Sequence, residues 1–264
     1  MEIITSKDNN KIKYLRALNS KKSRNSDHVF VAEGIKFVSE SLKEKVSIKF
    51  VMISNDILDK EETNDLIETL RKEKIDFFIC EESIFSSITD TINSQGILAV
   101  ISKLENKKEE ILTDYKFIVL CDRIQDPGNL GTIIRTSDAF GPAAVILNKG
   151  CVDVYNSKVV RATAGSMFRV PFIIGDETQE ILEYLKKYEY KIISTVIRSE
   201  LSFDDIEKSE KICLVIGNEG QGISWEIKEA SDINITIKMD GRAESLNASI
   251  AAGICIYEIR KKLL

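Results

Sequence analysis

The sequence predicts an α/β protein of two domains, and three observations carry that prediction. Short apolar runs rich in β-branched residues alternate with helix-like stretches along the whole chain, a charged tract interrupts them near residue 110, and glycine and asparagine cluster after predicted strands in the second half. The strand runs are 50–53, 77–80, 97–101, 117–121, 144–147, 192–196, 212–216 and 233–237. Their alternation with helical patterns predicts largely parallel sheets covered on both faces. Between Ser102 and Tyr115 the segment KLENKKEEILTD is almost entirely charged or polar, which predicts a boundary between a domain over residues 1–105 and a larger one over 113–264. The 264 residues are enough for two cores.

Composition argues against several kinds of chemistry. His28 is the only histidine and there is no C-x-x-C, so a zinc site, a Ser-His-Asp triad and a Cys-His dyad are not expected, nor is a metal. His28 precedes the apolar run 29–32 and reads as a strand-edge residue. Cys80, Cys121, Cys151, Cys213 and Cys255 are odd in number and mostly embedded in apolar runs, as reduced, buried thiols are. The first ten residues lack the apolar stretch of a secretory signal, and no apolar run approaches the roughly 20 residues that span a bilayer. The expected location is the cytoplasm, away from membranes.

Charge is distributed unevenly. The chain carries −5 overall, but residues 1–25 hold Lys7, Lys11, Lys13, Arg16, Lys21, Lys22 and Arg24 against only Glu2 and Asp8. Such a patch can dock a polyanion through counterion release, and it can equally be the solvated face of an amphipathic helix with Ile12, Leu15 and Leu18 inside. Charge alone leaves both open.

Three segments could carry chemistry. In the first, Cys121-Asp-Arg-Ile-Gln-Asp-Pro-Gly-Asn-Leu-Gly followed by Arg135, a buried strand turns at Pro127-Gly128 into a helix with Ile133, Ile134 and Ala139 on its apolar side. Asn129 and Arg135, six residues apart, face one ligand only if Asn129 sits in the entry turn; otherwise this is a capped helix with a surface arginine. In the second, Leu214-Val-Ile-Gly-Asn-Glu-Gly-Gln-Gly, three glycines follow an apolar strand. They permit close approach of a ligand to the backbone, yet neither the dinucleotide fingerprint nor the phosphate loop is present, and a plain strand-to-helix turn fits too. In the third, a strand ending near Ile237 leads to Met239 and then Ser245-Leu-Asn247, where Ser245 is expected to open and cap a helix running to about Lys262. Without a histidine partner Ser245 is a poor nucleophile.

Taken together, Asp126-Pro-Gly-Asn-Leu-Gly…Arg135, Ile216-Gly-Asn-Glu-Gly and Met239…Ser245-Leu-Asn247 resemble the motifs of the SpoU (TrmH-type) family of RNA ribose 2′-O-methyltransferases of the SPOUT superfamily. The likeness covers residues 117–260. More loosely, Ser6-Lys-Asp-Asn-Asn-Lys-Ile-Lys and Val31-Ala-Glu-Gly34 resemble the small α/β substrate-binding domain at the front of many members.

The resemblance implies an α/β chain with a C-terminal trefoil-knotted domain on a parallel sheet and a homodimer formed through it. It implies S-adenosylmethionine (SAM) bound near Thr195, Val196, Gly217, Ile237, Met239 and Leu246. Asn129, Arg135, Glu219, Ser245 and Asn247 would form the catalytic side, with Glu219 and Asn129 orienting Arg135 and Lys21, Lys22 and Arg24 meeting RNA. Ribosomal RNA is expected over transfer RNA because of the separate front domain. By the same resemblance Arg135 is expected to be essential, its proton role left open: a guanidinium is a poor base, and anchoring a phosphate is its milder role. Lys238 stands where many relatives carry proline, which predicts a looser cofactor loop. A non-catalytic RNA-binding protein and a nicotinamide-dependent oxidoreductase are the competing readings.

Overall fold

A computed structural model describes residues 3–89, 91, 94–141 and 143–263. Two compact units are present: the chain up to Leu104 together with Tyr155–Phe168, and Glu105–Val154 together with Arg169 onward. The predicted division had one boundary near residues 105–113. The structure also counts Tyr155–Phe168 with the first unit, because its helix packs on the strand Val29–Glu33 and the Tyr155 ring lies 4.9 Å from Phe30. A polar-tract signal cannot register such a return.

The first unit contains strands β1 (Ile3–Ile4), β2 (Val29–Glu33), β3 (Ile48–Ser54), β4 (Phe77–Cys80) and β5 (Ile97–Ser102) in the order β1-β4-β3-β5-β2. Its helices are α1 (Asn10–Ala17), α2 (Lys21–Ser26), α3 (Ile35–Lys43), α4 (Glu61–Lys72) and α5 (Glu82–Phe85). Here the expectation of parallel pairing is corrected: β5 runs antiparallel to both β2 and β3. Both kinds of strand read as apolar runs when both faces are covered, so the run does not reveal direction. Ile12 and Leu15 on α1 are buried with Phe50, Met52, Leu98 and Val100, each such side chain contributing about 1.5–3 kcal/mol. His28 adopts a positive φ of 53° directly before β2.

The second unit is built on β6 (Phe117–Asp122), β7 (Ala144–Leu147), β8 (Phe172–Ile174), β9 (Lys191–Thr195), β10 (Ile212–Gly217) and β11 (Ile233–Ile235). All its pairings are parallel, in the order β11-β9-β10-β6-β7-β8. The helices are α6 (Lys108–Asp114), α7 (Pro127–Ala139), α9 (Thr178–Lys187), α10 (Trp225–Ala230) and α11 (Ala248–Arg260), while α8 (Ser157–Ala162) belongs to the first unit. Strands β1 and β8, two and three residues long, were too short to read from pattern. The chain builds outward from β6 to β8 and then returns to the other side of β6, so the order reverses between β6 and β10. In such sheets a ligand usually binds at the carboxyl ends of the strands near the reversal; here the cavity lies at the ends of β9, β10 and β11, on the β10 side of it.

Two local expectations are corrected. Ala139 is exposed, and Leu130, Ile133, Ile134 and Ser137 form the buried face of α7. The final helix begins at Ala248, capped by Asn247 and not Ser245. Asparagine at that position satisfies two orphan amides, from Ser249 (2.9 Å) and Ile250 (3.3 Å).

Candidate active site

The site starts where β6 ends. Asp126 caps α7, its Oδ1 accepting from the Asn129 N–H at 2.8 Å, and Pro127 occupies the first turn, where no backbone donor is required. This cap places Asn129 in the entry turn, buried to 7% exposure. Glu219, in the loop after β10, accepts at Oε1 from the Asp126 N–H and the Asn129 amide, both at 3.1 Å, and at Oε2 from the Gln125 N–H at 3.2 Å. From the third segment, Asn247 donates through Nδ2 to the Asn129 Oδ1 at 2.9 Å. A continuous hydrogen-bonded chain, Glu219–Asn129–Asn247, therefore joins all three segments.

Charge state follows from these bonds. Partial burial pushes the Glu219 carboxyl upward, but the Asn129 amide and the backbone N–H groups of Glu219, Asp126 and Gln125 outweigh it and hold it below the ordinary carboxylate value. Glu219 is thus ionised near neutrality and acts as an acceptor that binds the α7 entry loop.

Beside this chain lies a cavity of about 440 Å³ at the ends of β9, β10 and β11. Thr195, Val196, Gly217, Ile237, Met239 and Leu246 all line it, as do Glu219, Ser245 and Asn247. The chain folds so tightly at Gly217 that a Cβ there would overlap the backbone of Gly222 and Ile223. Thr195 is held by donation from Oγ1 to the Val215 carbonyl at 2.9 Å. Three apolar side chains on the wall are left open to solvent: Ile197 at 65%, Leu246 at 37% and Met239 at 36%. Lys238 is exposed between two residues that line the cavity. Sequence reasoning missed Ile197, Thr236 and Glu244 on the wall; ordinary loop residues carry no motif, and only their adjacency to predicted positions hinted at them.

Some placements differ from expectation. Neither Asn129 nor Arg135 lines the cavity. Arg135 lies on the exposed side of α7, and its side chain makes no hydrogen bond or ion pair among the described residues. Among the described residues neither Glu219 nor Asn129 bonds Arg135; the Asn129 amide is bonded to Glu219 and Asn247. In the first unit Lys21 and Lys22 are exposed on α2, but Arg24 is buried at 6% exposure. Its Nη1 donates to the carbonyls of Leu18 (2.9 Å) and Asn19 (2.8 Å), which lie just past the end of α1. Arg24 satisfies orphan carbonyls instead of facing solvent, so it is withdrawn as an RNA contact.

Among the described residues no group of His, Cys, Asp and Glu could hold a metal ion, and no helix is long and apolar enough to cross a membrane.

Comparison with known proteins follows the same division of the chain. Residues 116–257 match the SpoU rRNA Methylase family, and residues 9–99 match the MRM3-like substrate binding domain. The 23S rRNA (guanosine(2553)-2′-O)-methyltransferase RlmP of Bacillus subtilis is 35% identical, covering 98% of this chain and 100% of its own. The 23S rRNA (guanosine-2′-O-)-methyltransferase RlmB of Nitrosomonas europaea is 29% identical over 80% of this chain and 83% of its own. Among solved structures, the AdoMet-bound rRNA methyltransferase of Sinorhizobium meliloti superposes with a TM-score of 0.89 at 30% identity, covering 100% of this chain and 98% of that one. With the three segments joined beside one cavity, these matches establish that the chain belongs to the SpoU rRNA methylase family.

Proposed function

We propose that this protein methylates a ribose 2′-hydroxyl of ribosomal RNA with SAM as donor. The observation that carries the reading is the convergence of three distant segments, through Glu219, Asn129 and Asn247, on the rim of one cavity. The cavity suits SAM on physical grounds. Its volume lies in the range of roughly 300–1,000 Å³ common for small-molecule sites, Gly217 exposes backbone to a ligand, and Ile197, Met239 and Leu246 offer apolar surface for a ligand to cover. A relative of matching length is known in its AdoMet-bound form.

SAM supplies an electrophilic methyl on sulfur. The chain must align the ribose oxygen in line with that methyl and receive or release one proton. In the proposal, Thr195, Val196, Gly217, Ile237, Met239 and Leu246 hold the donor. Glu219, Asn129 and Asn247 fix the loops around it, and Ser245 faces the nucleotide from the cavity wall. Arg135, a permanent donor without an internal partner, anchors a phosphate of the RNA next to the reacting ribose. The exposed Lys21 and Lys22 serve as RNA contacts in the first unit.

The proposal extends to the trefoil knot and to a homodimer. For the knot, the support is that α11, after the Ser245–Asn247 loop, packs against α7 and β10. For the dimer, it is the exposed apolar face of Ile250 (55%), Ile254 (37%) and Tyr257 (50%) beside Phe140 (42%), whose ring lies 5.4 Å from that of Tyr257. A cytoplasmic location belongs to the same proposal and rests on the RNA substrate.

Calorimetric titration with SAM, followed by transfer of labelled methyl to ribosomal RNA transcribed in vitro, tests the reading. Saturable binding and incorporation at a ribose are expected. Absence of binding by the folded protein overturns it in favour of a non-catalytic RNA-binding role.

A further inference from the structure

Arg123 lies at the carboxyl end of β6 and is not among the residues lining the cavity. Its backbone is left-handed, with φ 59°, which is uncommon for a residue with a side chain and is sustained here by bonds on every side. The Arg123 N–H donates to Asn148 Oδ1 at 2.8 Å, and its carbonyl accepts from Asn218 Nδ2 at 2.8 Å. Its guanidinium makes three further contacts. Nε donates to Asp122 Oδ1 at 3.1 Å, Nη1 to Gln221 Oε1 at 3.0 Å, and Nη2 to the Gly222 carbonyl at 3.5 Å.

Asp122 behind it is fully buried, and its remaining bonds come from Asn148 Nδ2 (2.6 Å) and the Ser224 N–H (2.6 Å). The space for the arginine stem is also built in: Gly150 has φ +106°, and a Cβ there would stand 3.0 Å from Arg123 Cγ. Arg123 thus joins the end of β6, through the contact of its side chain with Asp122, to the loop after β10, while its backbone N–H and the Asp122 carboxylate both bond Asn148 at the end of β7. Asn218, Glu219, Gly220 and Gly222 of that loop do line the cavity.

We infer that Arg123, seated on Asp122, is a positioning residue that holds the Asn218–Gly222 loop in its donor-binding shape before SAM arrives. The inference deepens the functional reading above and rests on it. Ordering the loop in advance removes that cost from binding, so loss of Arg123 weakens SAM affinity and leaves RNA affinity alone. A general loss of fold moves both.

The experiment compares wild type, Arg123→Met, Arg123→Lys and Gln221→Ala by calorimetry with SAM, by the KM for in vitro transcribed ribosomal RNA, and by hydrogen exchange of the loop amides without SAM. Expected are SAM Kd values raised about tenfold in Arg123→Met and about threefold in Gln221→Ala, with an RNA KM within about twofold of wild type. Arg123→Lys keeps the charge beside Asp122 but not the fork to the loop, and should fall between. Exchange at Gly220 and Gln221 should accelerate in all three. If Arg123→Met does not fold, Gln221→Ala, altered only at an exposed loop residue, decides. Unchanged SAM affinity and unchanged loop exchange overturn the inference. Wild-type protein that binds no SAM overturns the functional reading instead, and loop exchange in the ligand-free protein still decides the role of Arg123.

Discussion

Arg24 on α2 and Arg135 on α7 are both arginines on predicted helices, and the structure uses them in opposite ways. Arg24 is turned inward onto the carbonyls of Leu18 and Asn19, whereas Arg135 is exposed with no internal partner. A local count of positive charge treats them as equivalent. What separates them is the backbone nearby: α1 ends seven residues before Arg24 with carbonyls that need donors, while the α7 backbone around Arg135 is satisfied within the helix. A cation goes where its hydrogen bonds are better than those of water, and charge composition does not record that.

The comparison is broken most sharply at Arg135. If it acts on the RNA in the transition state, Arg135→Ala lowers turnover by roughly 10²–10³-fold while SAM Kd moves by no more than a few-fold. Single-turnover methyl transfer and calorimetry on the same preparation check this, and equal losses in both would place Arg135 in donor binding.

Arg24 should show the reverse pattern. Arg24→Ala removes a charge-assisted cap and is expected to cost about 1.5–3 kcal/mol in urea unfolding, with little change in the salt dependence of RNA binding. Charge reversal at Lys21 and Lys22 should leave stability nearly unchanged and flatten the slope of log K against log salt by about 0.9 for each lost phosphate contact. A slope unaffected by those reversals would return α2 to solvent.

The smallest effect belongs to Glu219, which binds loops in the second unit much as Arg24 does in the first. Its folded-state pKa is depressed, so its contribution is present above the ordinary value near 4.5 and is lost as pH falls through the lower folded value. Glu219→Gln should therefore be less stable than wild type at pH 7, by under about 1 kcal/mol because the carboxylate is exposed, and the gap should close below pH 4.5. Denaturant unfolding across pH 3–7 reads the difference directly, and a gap that widens on acidification would contradict the bonding described for Glu219.

Legibility differed along the same line. The strands of the second unit were readable from buried apolar runs, and the start of α7 from the turn at Pro127-Gly128, whereas the place of Asn129 in the entry turn was left open by the sequence and is fixed by the Asp126 cap. The cavity positions from Thr195 to Leu246 came through family resemblance and share one wall. Not readable were the antiparallel β5, the return of Tyr155–Phe168 to the first unit, the capping role of Asn247 in place of Ser245, and the inward turn of Arg24. Each depends on a partner brought close only by the fold.

By itself the amino-acid order determined two α/β domains, mostly buried thiols and three loops at strand ends, because periodicity, composition and turn chemistry act over a few residues. Tertiary structure alone decided that Glu219, Asn129 and Asn247 form one chain of hydrogen bonds, that Arg123 braces the loop behind them, and that Arg135 is left facing solvent. The bonded groups stand about 90 to 120 positions apart and meet at roughly 3 Å, a condition imposed by the pairing of β6 with β10 and the packing of α11 on α7.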